Sequence, residues 1–162
     1  NPPWVKSDEP RSTVVASGPP GWKRALNGRV AVVFPRFSGL AARITIEPEV
    51  QDEAGWVARA FTPAGIAPET CLVAVEPAAE EIAAAAELAA AAAATVLFLF
   101  DAHLYPSNRA LLGAVQARAR ALAVVLLRDP WDAALLAPGV LGVTAYGFRA
   151  CQLAAVIARL CH

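Results

Sequence analysis

Methionine is absent from the 162 residues, and cysteine (3), histidine (2) and tyrosine (2) are scarce. Without a methionine there is no initiator, so the chain is expected to be a piece of a longer polypeptide. The cysteines, Cys71, Cys151 and Cys161, are odd in number and show no C-x-x-C spacing, which argues against a disulfide framework or a zinc site. Their usage fits a reducing, cytoplasmic setting. Charge of either sign is not in excess: 14 basic and 14 acidic residues balance to zero. Nucleic acid and anionic membrane surfaces attract a basic excess, so neither is an expected partner. The opening Asn1-Pro2-Pro3-Trp4 has no apolar core of the kind a signal peptide needs. The longest apolar stretch, residues 83–100, is interrupted by Glu87 and divides into an alanine half and a short Val/Leu/Phe half, so it is not read as a membrane span. Phosphate-loop, G-x-G-x-x-G, H-E-x-x-H and G-x-S-x-G patterns are all missing, and neither cofactor nor metal is expected.

Apolar material is plentiful. A hydrophobic content of 57% over the length of one domain predicts a substantial core. Residues 1–28, rich in Pro, Gly, Ser and charge, read as a linker or lead-in with one extended piece at Ser12–Ala16. From residue 29 to 162 a single domain is expected. Five strand-length apolar runs recur at Val30–Phe34, Cys71–Val75, Thr95–Phe100, Ala121–Leu127 and Val140–Ala145. They do not alternate with polar residues, which is the pattern of strands covered on both faces in a parallel sheet. Helices are expected between them, over residues 78–94 (alanine-rich, with Glu80, Glu81 and Glu87 toward its amino end), 107–120 and 149–160, and around 47–60. Asp129-Pro130-Trp131-Asp132 reads as a helix start with Trp131 as a packing anchor. Strand–helix alternation predicts a three-layer α/β/α sandwich with a mainly parallel sheet of five or six strands.

Ligands of such sheets bind beyond the strand ends. The polar residues that follow the five runs are Arg36 and Ser38; Glu76; Asp101, His103 and Tyr105; Arg128 and Asp129; and Tyr146. Arg36, Asp101, His103, Arg128 and Tyr146 are the candidate binding residues, expected to gather on one edge, with Arg128 pairing with Asp101 or Asp129. Strand ends also meet water, which by itself makes them polar. The sharpest local signal is Asp101-Ala102-His103: a carboxylate near an imidazole can orient the ring for acid–base work.

Arg29–Arg36 (RVAVVFPR), Phe100–Pro106 (FDAHLYP), and Leu127–Asp132 (LRDPWD) followed by Thr144–Phe148 (TAYGF) together resemble the second domain of glycoside hydrolase family 3, in its bacterial β-N-acetylhexosaminidase branch. Arg11–Val15 resembles the segment leading from barrel to second domain. The resemblance implies a parent enzyme that cleaves β-linked N-acetylglucosamine-type sugars with retention, using a (β/α)8 barrel that carries the nucleophile and an acid/base dyad after a K-H-F-P-G-H-G motif. That motif is absent here, and no catalytic residue of the family maps onto this chain. The expectation is a non-catalytic domain that supports the barrel and lines its cleft, with the barrel as partner and a carbohydrate as a further ligand. The alternatives are a free-standing module that binds a small ligand at the strand-end edge and, third, a small hydrolase using Asp101 and His103.

Overall fold

The computed structural model describes residues 12–40, 52–128 and 130–162. They form one six-stranded sheet sandwiched between helices. The strands are β1 (Thr13–Ala16), β2 (Val30–Pro35), β3 (Glu69–Val73), β4 (Ala94–Leu99), β5 (Leu122–Leu126) and β6 (Leu141–Thr144). The helices are α1 (Trp22–Ala25), α2 (Glu53–Phe61), α3 (Ala79–Ala91), α4 (Pro106–Arg118) and α5 (Ala150–Cys161). Across the sheet the order is β1-β6-β5-β4-β2-β3. β2 to β6 are parallel; β1 closes the β6 edge as the antiparallel strand. All residues of β2, β4 and β5 are buried, as continuous apolar runs require.

Side chains alternate between two unlike cores. Val32, Phe34, Val96 and Phe98 face Trp22, Trp56, Phe61, Leu153 and Ile157 of α1, α2 and α5. Val33, Leu97, Leu99 and Val124 face Ala85 and Ala89 of α3 and Leu111, Leu112 and Val115 of α4. The first core is aromatic. In the second, small alanines let α3 lie close to the sheet and α4. The glycines serve the same close approach: a Cβ on Gly28 would stand 2.7 Å from that of Ala93, and one on Gly142 would meet Leu136 at 2.6 Å.

Several sequence expectations differ from the structure or are met only in part. Residues 13–28, read as lead-in, belong to the fold. β1 hydrogen-bonds to β6, and the buried indole of Trp22 donates to the Leu160 carbonyl at 2.9 Å, tying α1 to the end of α5. The helix expected from Pro130 is a 3-10 segment, Pro130–Leu135, with Pro138 and Gly139 (φ 81°) blocking its extension. Trp131 is no packing anchor, being 74% exposed. The helix expected around 47–60 begins at Glu53, capped by Asp52, whose Oδ1 accepts from the Gly55 N–H; residues 47–51 lie outside the described residues. Cys71, read as a core thiol, is half-buried. Among the described residues no helix is long and apolar enough to cross a membrane.

Candidate functional site

The parallel strands run β3-β2-β4-β5-β6, so the chain reverses its direction of travel across the sheet between β2 and β4. Open α/β sheets bind ligands in the crevice beyond the carboxyl ends, around such a reversal. On this edge two buried carboxylates bind the loops after β4 and β5 together, and a backbone hydrogen bond joins the loop after β6 to them.

Asp101 follows β4 and is almost wholly buried. Its Oδ2 accepts from the Arg128 guanidinium at 2.7 Å, across from the end of β5. Its carbonyl accepts from the Leu104 and Tyr105 N–H groups and closes a tight turn. Asp101 sits in the left-handed region at φ 39°, which aspartate tolerates better than most residues. The Arg128–Asp101 pairing is one of the two expected; Asp129, the other partner, lies outside the described residues.

The second carboxylate is Asp132, also buried, carried by the 3-10 segment after β5. Oδ2 accepts from the Ala102 N–H at 2.7 Å; Oδ1 accepts from the His103 N–H at 2.8 Å and meets the ring Nδ1 at 2.8 Å. The carboxylate that orients His103 is therefore Asp132, from the neighbouring loop. Asp101, two residues away in sequence, is engaged with Arg128. An ionised carboxylate can only accept, so this contact assigns a hydrogen to Nδ1. The ring is about one-third exposed.

Tyr146, after β6, also has a positive φ of 57° and is 44% exposed. The next residue, Gly147, donates its N–H to the Leu127 carbonyl at 2.6 Å, fastening this turn beside Arg128. Tyr105 stacks on Phe100 at 5.5 Å, and Phe100, Phe148, Phe37 and Phe34 continue a line of ring contacts beneath the edge. Sequence patterning does not show this floor, because its members come from three separate segments.

Arg36 stands on the β2–β3 side. Its guanidinium pairs with Glu81 on α3 at 2.8 Å. Ser38 donates its N–H to Glu53 at 2.9 Å, and Glu76 is exposed. The structure thus brings Asp101, His103, Arg128 and Tyr146 onto neighbouring loops, with Asp132 as the member that sequence reasoning missed. In the sequence Asp129-Pro130-Trp131-Asp132 reads as a helix start with Asp132 in its first turn, which hides that carboxylate's reach to the loop after β4. Among the described residues no cluster of His, Cys, Asp and Glu could hold a metal ion.

No protein-family model and no curated protein matches the sequence. Solved structures do match the fold. A glycoside hydrolase family 3 β-N-acetylglucosaminidase from Paenibacillus sp. overlies 93% of this chain with a TM-score of 0.71 at 23% identity, using 28% of its own length. A fungal multi-domain family 3 β-N-acetylglucosaminidase overlies 91% at TM-score 0.60 and 15% identity, using 16% of its length. A family 3 β-glucosidase from Bifidobacterium adolescentis overlies 90% at 0.55 and 14%, using 24%. The likeness is one of fold: a domain-sized part of each of these proteins adopts this α/β sandwich. The chain spans less than a third of the length of each.

Proposed function

We propose that this chain is the non-catalytic second domain of a family 3 glycoside hydrolase of the β-N-acetylhexosaminidase branch, and that it works against a catalytic (β/α)8 barrel in the same polypeptide. The observation that carries this reading is the overlap of 93% of the chain with a quarter-length portion of a β-N-acetylglucosaminidase. The FDAHLYP, LRDPWD and TAYGF segments agree with it, and all three lie at the strand ends. In this reading the domain props the barrel and its strand-end edge lines the cleft through Asp101, His103, Arg128 and Tyr146, with Arg36 at the margin. The buried carboxylates act as struts: both are engaged within the domain, one by a guanidinium and one by three hydrogen bonds. Neither forms the open pair of carboxyl groups that retaining glycosidases place about 5–5.5 Å apart across a scissile bond. A cytoplasmic location belongs to the same reading and agrees with three free thiols.

The coding sequence upstream of Asn1 tests it. A barrel-length segment containing K-H-F-P-G-H-G is expected in frame. A stop codon, or an unrelated domain in that place, would overturn the reading in favour of a free-standing module.

A further inference from the structure

Charge balances over the whole chain but not from end to end of the sheet. The parallel strands start at the end opposite Asp101 and Asp132, and the helices antiparallel to them finish there. On one face every such helix ends in basic residues: Lys23 and Arg24 in α1, Arg59 in α2 and Arg159 in α5. Arg29 directly precedes β2, and one acidic residue, Glu69 at the start of β3, pairs with it at 2.6 Å. Arg59 pairs with Asp52 at 3.8 Å. Lys23, Arg24 and Arg159 are exposed and form no ion pair among the described residues. A cation in a last turn complements the helix dipole, which accounts for each residue singly. It does not account for the hollow beside them. A cavity of about 370 Å³ opens between the end of α1, the 3-10 turn after α2, the starts of β2 and β3, and the end of α5. Lys23, Arg29 and Glu69 line it, with Asn27, Gly65 and Cys161. Carbonyls of the surrounding helix ends are already engaged. The Asn27 and Gly28 N–H groups cap α1, those of Gly65 and Ile66 cap the turn after α2, and the Trp22 indole caps Leu160.

We infer that this cavity binds a small hydrophilic anion carrying a phosphate or a carboxylate. Its volume falls in the range of about 300–1,000 Å³ that small-molecule sites occupy. Its sign is set by the cations. Lys23, Arg24, Arg29 and Arg159 face a single acidic side chain, Glu69, and in the purified chain the α-carboxylate of His162 offsets one charge more, so a positive surplus remains. The two cations on the wall are complementary in kind. Lys23 is a mobile point charge; Arg29 is a planar guanidinium already held by Glu69 through Nε and Nη2, so less ordering is lost when an anion arrives. Clustered like charges repel one another, and an anion bound between them relieves that repulsion. The site lies at the far end of the sheet from the loops after β4, β5 and β6 and does not rest on the family reading.

The test is calorimetric titration of 3-phosphoglycerate into the purified 162-residue chain at low salt, with amide NMR shifts to locate it. Saturable binding is expected, with shifts at Gly28, Gly65 and Ala67 and none at His103. Lys23→Glu should weaken it at least about tenfold, Lys23→Gln less, and Lys23→Arg hardly at all. Salt at about 0.5 M should weaken it as well. Glycerate and inorganic phosphate, titrated separately, show which group the site holds; binding of either supports it, and neutral glycerol should give no signal. Arg120→Glu changes an exposed charge at the same end of the sheet, between α4 and β5, and should leave the affinity within about twofold. All the substituted residues are exposed, so each variant should melt close to the wild-type temperature. No saturable signal at millimolar anion, or binding that Lys23→Glu leaves intact, would overturn the proposal. So would equal weakening by Arg120→Glu, which would mean a diffuse field in place of a site.

Discussion

At the carboxyl edge of one sheet, two carboxylates each hold an arginine, and they are put to different uses. On the β2–β3 side Glu81 accepts from Arg36 at 2.8 Å, from the Ala74 N–H at 3.0 Å and from the Ala78 N–H at 3.1 Å. Every one of those bonds fastens the start of α3 to the loops beside it, and among the described residues no large hydrophobic side chain stands exposed there. On the β4–β5–β6 side Asp101 and Asp132 are deeper, bind across loops, and hold Arg128 and His103 with part of each side chain in solvent beside exposed Trp131 and Tyr146. The first arrangement is a helix cap that has acquired a cation. The second fixes side chains that face outward. Arg36 and Arg128 are both about half exposed, so the difference lies in the depth of the carboxylate and in what stands beside the arginine.

The comparison can be broken from the deep side first. Asp132→Ala should cost about 3 kcal/mol, because it strands the Ala102 N–H, in a fully buried residue, and frees the His103 ring at once. Urea unfolding checks this; a loss under about 1 kcal/mol would mean that the strut carries little. Asp101→Ala should cost less, about 2 kcal/mol, since the abandoned Arg128 can turn to water.

The shallow side should respond more weakly and with a distinct pH signature. Burial pushes the Glu81 carboxyl up, but hydrogen bonds from the Ala78 and Ala74 N–H groups and from Arg36 outweigh it and hold the pKa below the usual carboxylate range. A group whose pKa is lowered on folding stabilises the protein above its unfolded pKa and loses that contribution as the pH falls through its folded pKa. Glu81→Gln should therefore lower the melting temperature slightly, by about 1 kcal/mol or less in stability at neutral pH. The gap to wild type should stay constant down to about pH 5 and close below it. A gap that widens on acidification would reverse the assigned sign. Smallest of all, Trp131→Ala should change stability by less than about 0.5 kcal/mol in the same unfolding experiment, since its ring is mostly in water.

Labelling separates the thiols. Burial pushes the Cys71 thiol up, helped by Glu81 and opposed by Arg36; burial likewise raises Cys161, opposed by Lys23. Exposed Cys151 should react first with iodoacetamide at neutral pH, as peptide mapping by mass spectrometry would show.

The sheet was largely legible in the sequence, because buried parallel strands write themselves as unbroken apolar runs: Val30–Phe34 and Thr95–Phe100 overlap β2 and β4 almost residue for residue. The Arg128–Asp101 pair was legible too, because parallel strands deliver both residues to the same edge. Three things were not. The extended piece at Ser12–Ala16 is legible, but its place in the sheet is not: in a Pro/Gly-rich setting only the antiparallel pairing with β6 makes it β1. The 3-10 segment carries the signals of a helix start, and the Pro138-Gly139 stop just beyond Leu135 outweighs them. Asp132 has two sets of N–H donors within reach along the sequence, its own amino-terminal turn and the loop after β4; the choice depends on how closely β5 and β4 end together, which only the folded chain fixes.

In the proposed function the buried carboxylates Asp101 and Asp132 are structural. The most direct test of that role is incubation of the purified chain with an aryl N-acetyl-β-glucosaminide while release of the aryl group is followed. No release above the buffer rate is expected, for wild type and for His103→Ala alike. Release by the wild-type chain that His103→Ala or Asp132→Ala abolishes, with each variant still folded, would contradict it and make the His103–Asp132 pair catalytic.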